Sequence, residues 1–166
     1  MYLEEHYYSF SIVTEFIQDI GLTIIEKKQG EVSTESHCWI KAGRIYFQHQ
    51  PNREVKTGEI LFMAALIAIT PEEERFRLSC AKCNDNHDNM MALAWCWAAI
   101  HHLELSIDIL LYSFSNAPCY QVLERWSDCR FLGVPLLQNV GMTVEPTRQN
   151  VDSNTTFPKM LCWVRG

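Results

Sequence analysis

The sequence predicts a helix-rich α+β fold with a small antiparallel sheet, laid down as a single domain over residues 1–166. Three observations lead there. Apolar residues recur at helical spacing in several separate stretches, two short β-rich runs and a turn dipeptide lie together after the first of them, and no repeat or linker divides the chain. A chain of 166 residues is near the usual size of one domain and buries roughly two-thirds of its unfolded surface. With 48% hydrophobic and 11% aromatic residues, its composition is far from that of a disordered chain.

Ser9 to Gly21 places Phe10, Val13, Phe16, Ile17 and Ile20 on one helical face, and Gly21 suits the position just past a helix end. Leu22 to Glu26 and Cys38 to Ile40 read as strands, and Ile40 to Phe47 reads as a hairpin turning at Ala42-Gly43. Thr57 is placed to cap a helix over Gly58 to Ile69. The apolar run Ile60 to Ile69 leaves that helix no polar face, which predicts burial all round. Thr70-Pro71-Glu72-Glu73 then offers a cap, a proline for the first helical position and an acidic first turn, so a second short helix starts there. Asn84 to Asp88 holds several cap residues before an almost wholly apolar helix over Met90 to Leu103. Ser106 to Leu111, Tyr120 to Trp126 and Val134 to Val140 read as shorter helices, and an apolar cluster, Met160 to Val164, lies near the end of the sequence.

Charge narrows the partners. Fourteen Lys and Arg against 20 Asp and Glu give a net charge of −6, and the cations are scattered, so a nucleic-acid partner is not expected. The seven cysteines are an odd number spread among apolar residues, which fits free thiols in a reducing compartment better than a disulfide framework. Met1 to His6 has neither the basic nor the apolar region of a signal peptide, and Ile60 to Ile69 has about half the length that crosses a bilayer. The expected location is cytoplasmic, with no membrane contact.

The best metal-like spacing is Cys80 and Cys83 followed by His87. Two thiolates and an imidazole so close in sequence suit tetrahedral zinc, but a fourth ligand is missing and the later cysteines stand alone, so ordinary thiols are the plainer reading. His101 and His102 are adjacent on a helix and project about 100° apart, so they do not share a metal; one is expected to pack and the other to face water. No local signature supports a Cys-His nucleophile, although sequence alone leaves that pairing open. Asp85 and Asp88 read as helix caps, and Glu72, Glu73 and Glu74 as a solvated first turn. No glycine-rich loop is present to cradle a phosphate.

The stretch from Val55 to Arg75, with Gly58-Glu59-Ile60-Leu61 before the apolar run and Pro71-Glu72-Glu73-Glu74 after it, resembles a family of small bacterial proteins that look like minimal zinc metallopeptidases. Ala92 to Ala99, Gly133 to Thr143 and Phe157 to Trp163 are similar to further landmarks of that family, so the resemblance spans the chain from about Cys38 onward. It implies zincin-like core helices. In the family the first of these helices carries a His-Glu-Ala-Gly-His segment; here Phe62, Met63 and Leu66 stand where the two histidines and the glutamate belong. Two imidazoles one turn apart would hold zinc and the glutamate would take a proton from its water. Phe and Leu offer no lone pair, and Met is a soft, weak ligand that accepts no proton.

The sequence therefore points to core packing at Phe62, Met63 and Leu66, no cofactor, and a non-catalytic zincin-like domain that binds another protein, for instance as an inhibitor or immunity-type protein. Two other readings stay open. One is a metal-dependent hydrolase or zinc-binding protein using Cys80, Cys83 and His87. The other is a scaffold or assembly subunit, for which the five tryptophans would anchor interfaces if exposed.

Overall fold

The computed structural model describes residues 2–28, 37–48, 57–79, 86–114, 132–150, 152 and 154–166. Among them the chain runs α1 (Tyr2–Asp19), β1 (Ile24–Glu26), β2 (Cys38–Lys41), β3 (Arg44–Phe47), α2 (Thr57–Ile69), a 3-10 helix (Glu72–Arg77), α3 (Asn86–His102), α4 (Asp108–Ser113) and α5 (Val134–Asn139). This is the expected α+β fold, helix-rich with a three-stranded sheet. The helix expected over Tyr120 to Trp126 lies outside the described residues.

Helix α1 begins well before Ser9 and ends where Gly21 requires. Gly21 lies at φ +86°, its N–H bonds to the Gln18 carbonyl at 2.9 Å, and Leu22 N–H reaches back to Ile17 at 3.0 Å. These are the two bonds of a Schellman cap, with Leu22 buried beside the helix end. β2 and β3 form the predicted hairpin. Ala42 and Gly43 have φ of 50° and 68°, the two positive values that a two-residue type I′ turn needs.

The sheet is not wholly antiparallel. Its order is β1-β3-β2, and β1 pairs with β3 in parallel, with Ile24 opposite Ile45 and Ile25 opposite Tyr46. A single-strand pattern of apolar and polar residues sets which face is buried but carries no information on strand direction, so only the hairpin half was determined locally.

The core gathers around α2, which contacts α1, α3, α4, β2 and β3. Ala64, Ala65 and Ala68 on α2 and Ala92, Ala94, Ala98 and Ala99 on α3 are all inaccessible to solvent, and their small side chains let the two helices approach closely. Trp95 is wholly buried, and its indole N–H donates to the Trp163 carbonyl at 2.9 Å, so its one polar atom is satisfied. The carbonyls at the end of α2 are also taken up. Ala68 accepts from Arg165 N at 2.8 Å, and Leu66 accepts from the Thr70 hydroxyl at 2.7 Å.

That last bond corrects the expected cap. The Thr70 hydroxyl serves the preceding helix, Pro71 with ψ 146° occupies the cap position in its place, and the six residues that follow wind as a 3-10 helix with no side-chain cap. Arg75 fixes this helix by donating through Nε to the Thr70 carbonyl at 3.0 Å and through Nη2 to the Arg165 carbonyl. Among the described residues, no helix is long and apolar enough to cross a membrane.

Candidate functional site

The position where the resemblance places the metal motif lies on α2. Leu66 is 2% exposed, whereas Phe62 and Met63 are half-buried and packed against the edge of the core. The Phe62 ring meets Phe114 edge-on at 5.3 Å, so an aromatic pair covers part of this stripe. The helix is thus not buried all round. Glu59, Phe62 and Met63, one turn apart, form its least covered side, because apolar composition tells which residues prefer the interior but not whether neighbours suffice to cover them.

Beside Glu59 lies Cys38 of β2. Its thiol is 3% exposed, and burial first, with the Glu59 carboxylate second, pushes its pKa up to about 12. Such a thiol stays protonated near neutrality, which keeps it a poor nucleophile. Cys38, Cys96 and Cys162 form no disulfide; the first two are buried and the third is exposed. Cys80 and Cys83 lie outside the described residues, as does the side chain of His87. Among the described residues, no group of three or more His, Cys, Asp or Glu side chains is arranged to hold a metal ion.

The two histidines at the end of α3 depart from expectation, since both are exposed. His101 stacks obliquely on Trp97 at 5.2 Å, and His102 lies 5.8 Å from Phe16 and 5.2 Å from Trp163, so each ring rests on aromatic neighbours at the surface. Helix α3 starts at Asn86, so Asp88 is an exposed residue inside its first turn and not a cap, and Asp85 lies outside the described residues; Glu72, Glu73 and Glu74 are exposed in the first turn of the 3-10 helix, as the solvation reading requires. Of the tryptophans, Trp95 is core and Trp39, Trp97 and Trp163 are half-buried; Trp126 lies outside the described residues.

Sequence reasoning passed over the outer face of the sheet. There Trp39 and Tyr46, directly opposite across β2 and β3, stack at 5.8 Å with ring planes 12° apart. Lys27 places its ammonium 5.6 Å from the Tyr46 ring. The next cross-strand pair, Lys41 opposite Arg44, is exposed. The signal lay in the alternation of Trp39 with Lys41 and of Arg44 with Tyr46, which the hairpin reading already contained.

Neither protein-family models, nor curated proteins, nor solved structures yield a match to this chain.

Proposed function

We propose that this chain is a non-catalytic, zincin-like domain of the cytosol that works by binding another protein, as an inhibitor or immunity-type protein does. The observation that carries the reading is the stripe Phe62, Met63 and Leu66, which gives α2 ring and aliphatic contacts in place of ligands. None of the three side chains accepts a proton from water, and the two that replace histidine have no lone pair for zinc. Filling such a site with carbon stabilises the fold by about 2 kcal/mol for each side chain that is fully buried, so the replacements serve the core.

Metal analysis of the purified full chain, with a peptidase assay on an unstructured protein substrate, is the test. The expected result is substoichiometric zinc and no cleavage, with a saturable protein partner recovered by affinity capture from the native cell. One zinc per chain would transfer the function to the segment of Cys80, Cys83 and His87 and overturn the reading.

A further inference from the structure

We propose that the outer face of the sheet is a docking surface for an acidic segment of a partner protein. This rests on the protein-binding reading above and gives the partner's chemistry. The strand register fixes which residues share the face. Ile25 lies opposite Tyr46, Tyr46 opposite Trp39, and Arg44 opposite Lys41, while Cys38, Ile40, Ile45 and Phe47 point the other way and are buried. Lys27 prolongs β1, its N–H bonding to the Phe47 carbonyl at 2.8 Å, and returns to the outer face two residues after Ile25.

Among the described residues the face therefore carries Ile25, Lys27, Trp39, Lys41, Arg44 and Tyr46, with the exposed cations Lys41 and Arg44 side by side and no carboxylate, on a chain whose net charge is −6. The Lys41–Arg44 pair is the telling feature. Like charges directly opposite across an antiparallel pair destabilise it, and an acidic residue at either position would have stabilised the hairpin. A carboxylate arriving from a partner between the two would reverse the sign of that interaction, and the Arg44 guanidinium offers it a two-pronged donor.

The surroundings are already ordered for such a ligand. Gly43 N–H bonds to the Leu78 carbonyl at 3.1 Å and Ala42 N–H to the Ser79 hydroxyl at 3.3 Å, which ties the turn between the two cations to the end of the 3-10 helix. Lys27, Tyr46 and Trp39 make a row across the three strands, with the stacked aromatic pair next to the charged pair. Ordering in the free protein lowers the entropy lost on binding. The exposed Lys41–Arg44 pair on an otherwise acidic chain matches a short run of carboxylates. A nucleic acid would need more phosphate contacts than these can supply, against repulsion from the remaining surface.

The test is an NMR titration of the labelled full chain with a Glu- and Asp-rich peptide, a neutral peptide of equal length, and oligothymidylate. The acidic peptide is expected to shift the amides of residues 25–27 and 39–46 and to lose affinity as salt is raised. Lys41→Glu should weaken it roughly tenfold or more while leaving the melting temperature equal or higher, because the like-charge pair becomes an ion pair. Lys159→Glu, an exposed change away from the strands, should leave binding unaltered. Shifts elsewhere, no shifts, or equal binding by Lys41→Glu would each refute the docking surface. Tighter binding of oligothymidylate at these amides would refute it in favour of a nucleic-acid surface. If a native partner is captured equally by the wild type and Lys41→Glu, only the docking surface falls; if no partner is captured and no peptide binds, the protein-binding reading falls with it.

Discussion

Replacing Gly58 by Ala probes how α2 is seated. In an ordinary helix position this change stabilises by about 0.5–1 kcal/mol, because Gly loses more backbone freedom on folding. Here an added Cβ would stand 2.5 Å from the Ser113 hydroxyl, 2.8 Å from the Ser113 Cβ and 2.8 Å from the Ile109 carbonyl oxygen. The last of these is backbone, held in α4, and the Ser113 hydroxyl is fixed by donating to that same carbonyl at 2.8 Å while accepting from Gly58 N–H at 3.1 Å. Overpacking a tight contact costs about 1–3 kcal/mol, so the propensity gain is outweighed and the net loss is about 1–2 kcal/mol. For a chain of this length that lowers the melting temperature by roughly 2–8 °C. Calorimetry of Gly58→Ala, Ser113→Gly and the double variant measures both the loss and its origin. Ser113→Gly removes two of the three clashing atoms, so the pair should couple by about 0.5 kcal/mol or more. A melting temperature at or above wild type for Gly58→Ala, or strict additivity in the cycle, would show that the α2–α4 contact is looser than described.

Three further predictions concern α2 and the cysteines. Phe62→His, Met63→Glu and Leu66→His together should destabilise the protein without restoring a peptidase, since each buried polar group left unsatisfied costs about 1–3 kcal/mol and Leu66 is 2% exposed; a zinc-dependent rise in the melting temperature of the triple variant would show that the pocket is still polar. Because Cys38 keeps its proton up to about pH 12 in the fold but loses it near its ordinary value of 9.0 when unfolded, the unfolded chain binds fewer protons in between, and stability should fall as pH rises through that window, by up to ~1.4 kcal/mol per pH unit. Urea melts of the wild type and Cys38→Val check the slope, which should be shallower in the variant. Thiol labelling of the native chain should modify the exposed Cys162 well before Cys38 and Cys96, and should find all seven thiols after unfolding.

What the sequence disclosed depended on whether the signal was local. The α1 terminus was legible because Gly21 is the residue that a left-handed cap prefers, and the hairpin because Ala42-Gly43 is a turn pair followed by strand residues. The end of α3 was not. It closes with the same pair of bonds, Glu104 N–H to His101 at 3.3 Å and Leu105 N–H to Ile100 at 3.0 Å, yet the left-handed position is filled by Glu104 at φ 54°, a residue type that gives no warning. The direction of β1 was hidden because its partner β3 is distant in sequence. The role of the Thr70 hydroxyl was hidden for a local reason: it bonds the Leu66 carbonyl four residues back, a use of a threonine that competes with capping the next helix. At the candidate site, the core role of Leu66 followed from the apolar run, but the partial cover of Phe62 and Met63 depends on tertiary neighbours such as Phe114, which composition does not reveal.

The two surfaces at issue differ in how they stand toward folding, and that difference separates structure from function. On α2, Leu66 meets the local demand for an apolar side chain in the core, and Phe62 and Met63 pack against its edge, on a helix whose neighbours are α1, α3, α4 and the sheet. Agreement of this kind needs no function to explain it. On the outer face of the sheet the local demand is broken, since Lys41 and Arg44 oppose each other at the register position where an opposite charge would help the hairpin, next to a stacked aromatic pair that the core does not require. Conflicts between a residue and its own fold concentrate where a sequence serves something besides the fold. A domain that works by contact should bear such a conflict on an accessible face, and the sheet does so with exposed cations on an anionic chain, whereas the α2 stripe is half covered and uncharged except at Glu59. If this chain binds a partner, the hairpin and not α2 is where the contact belongs.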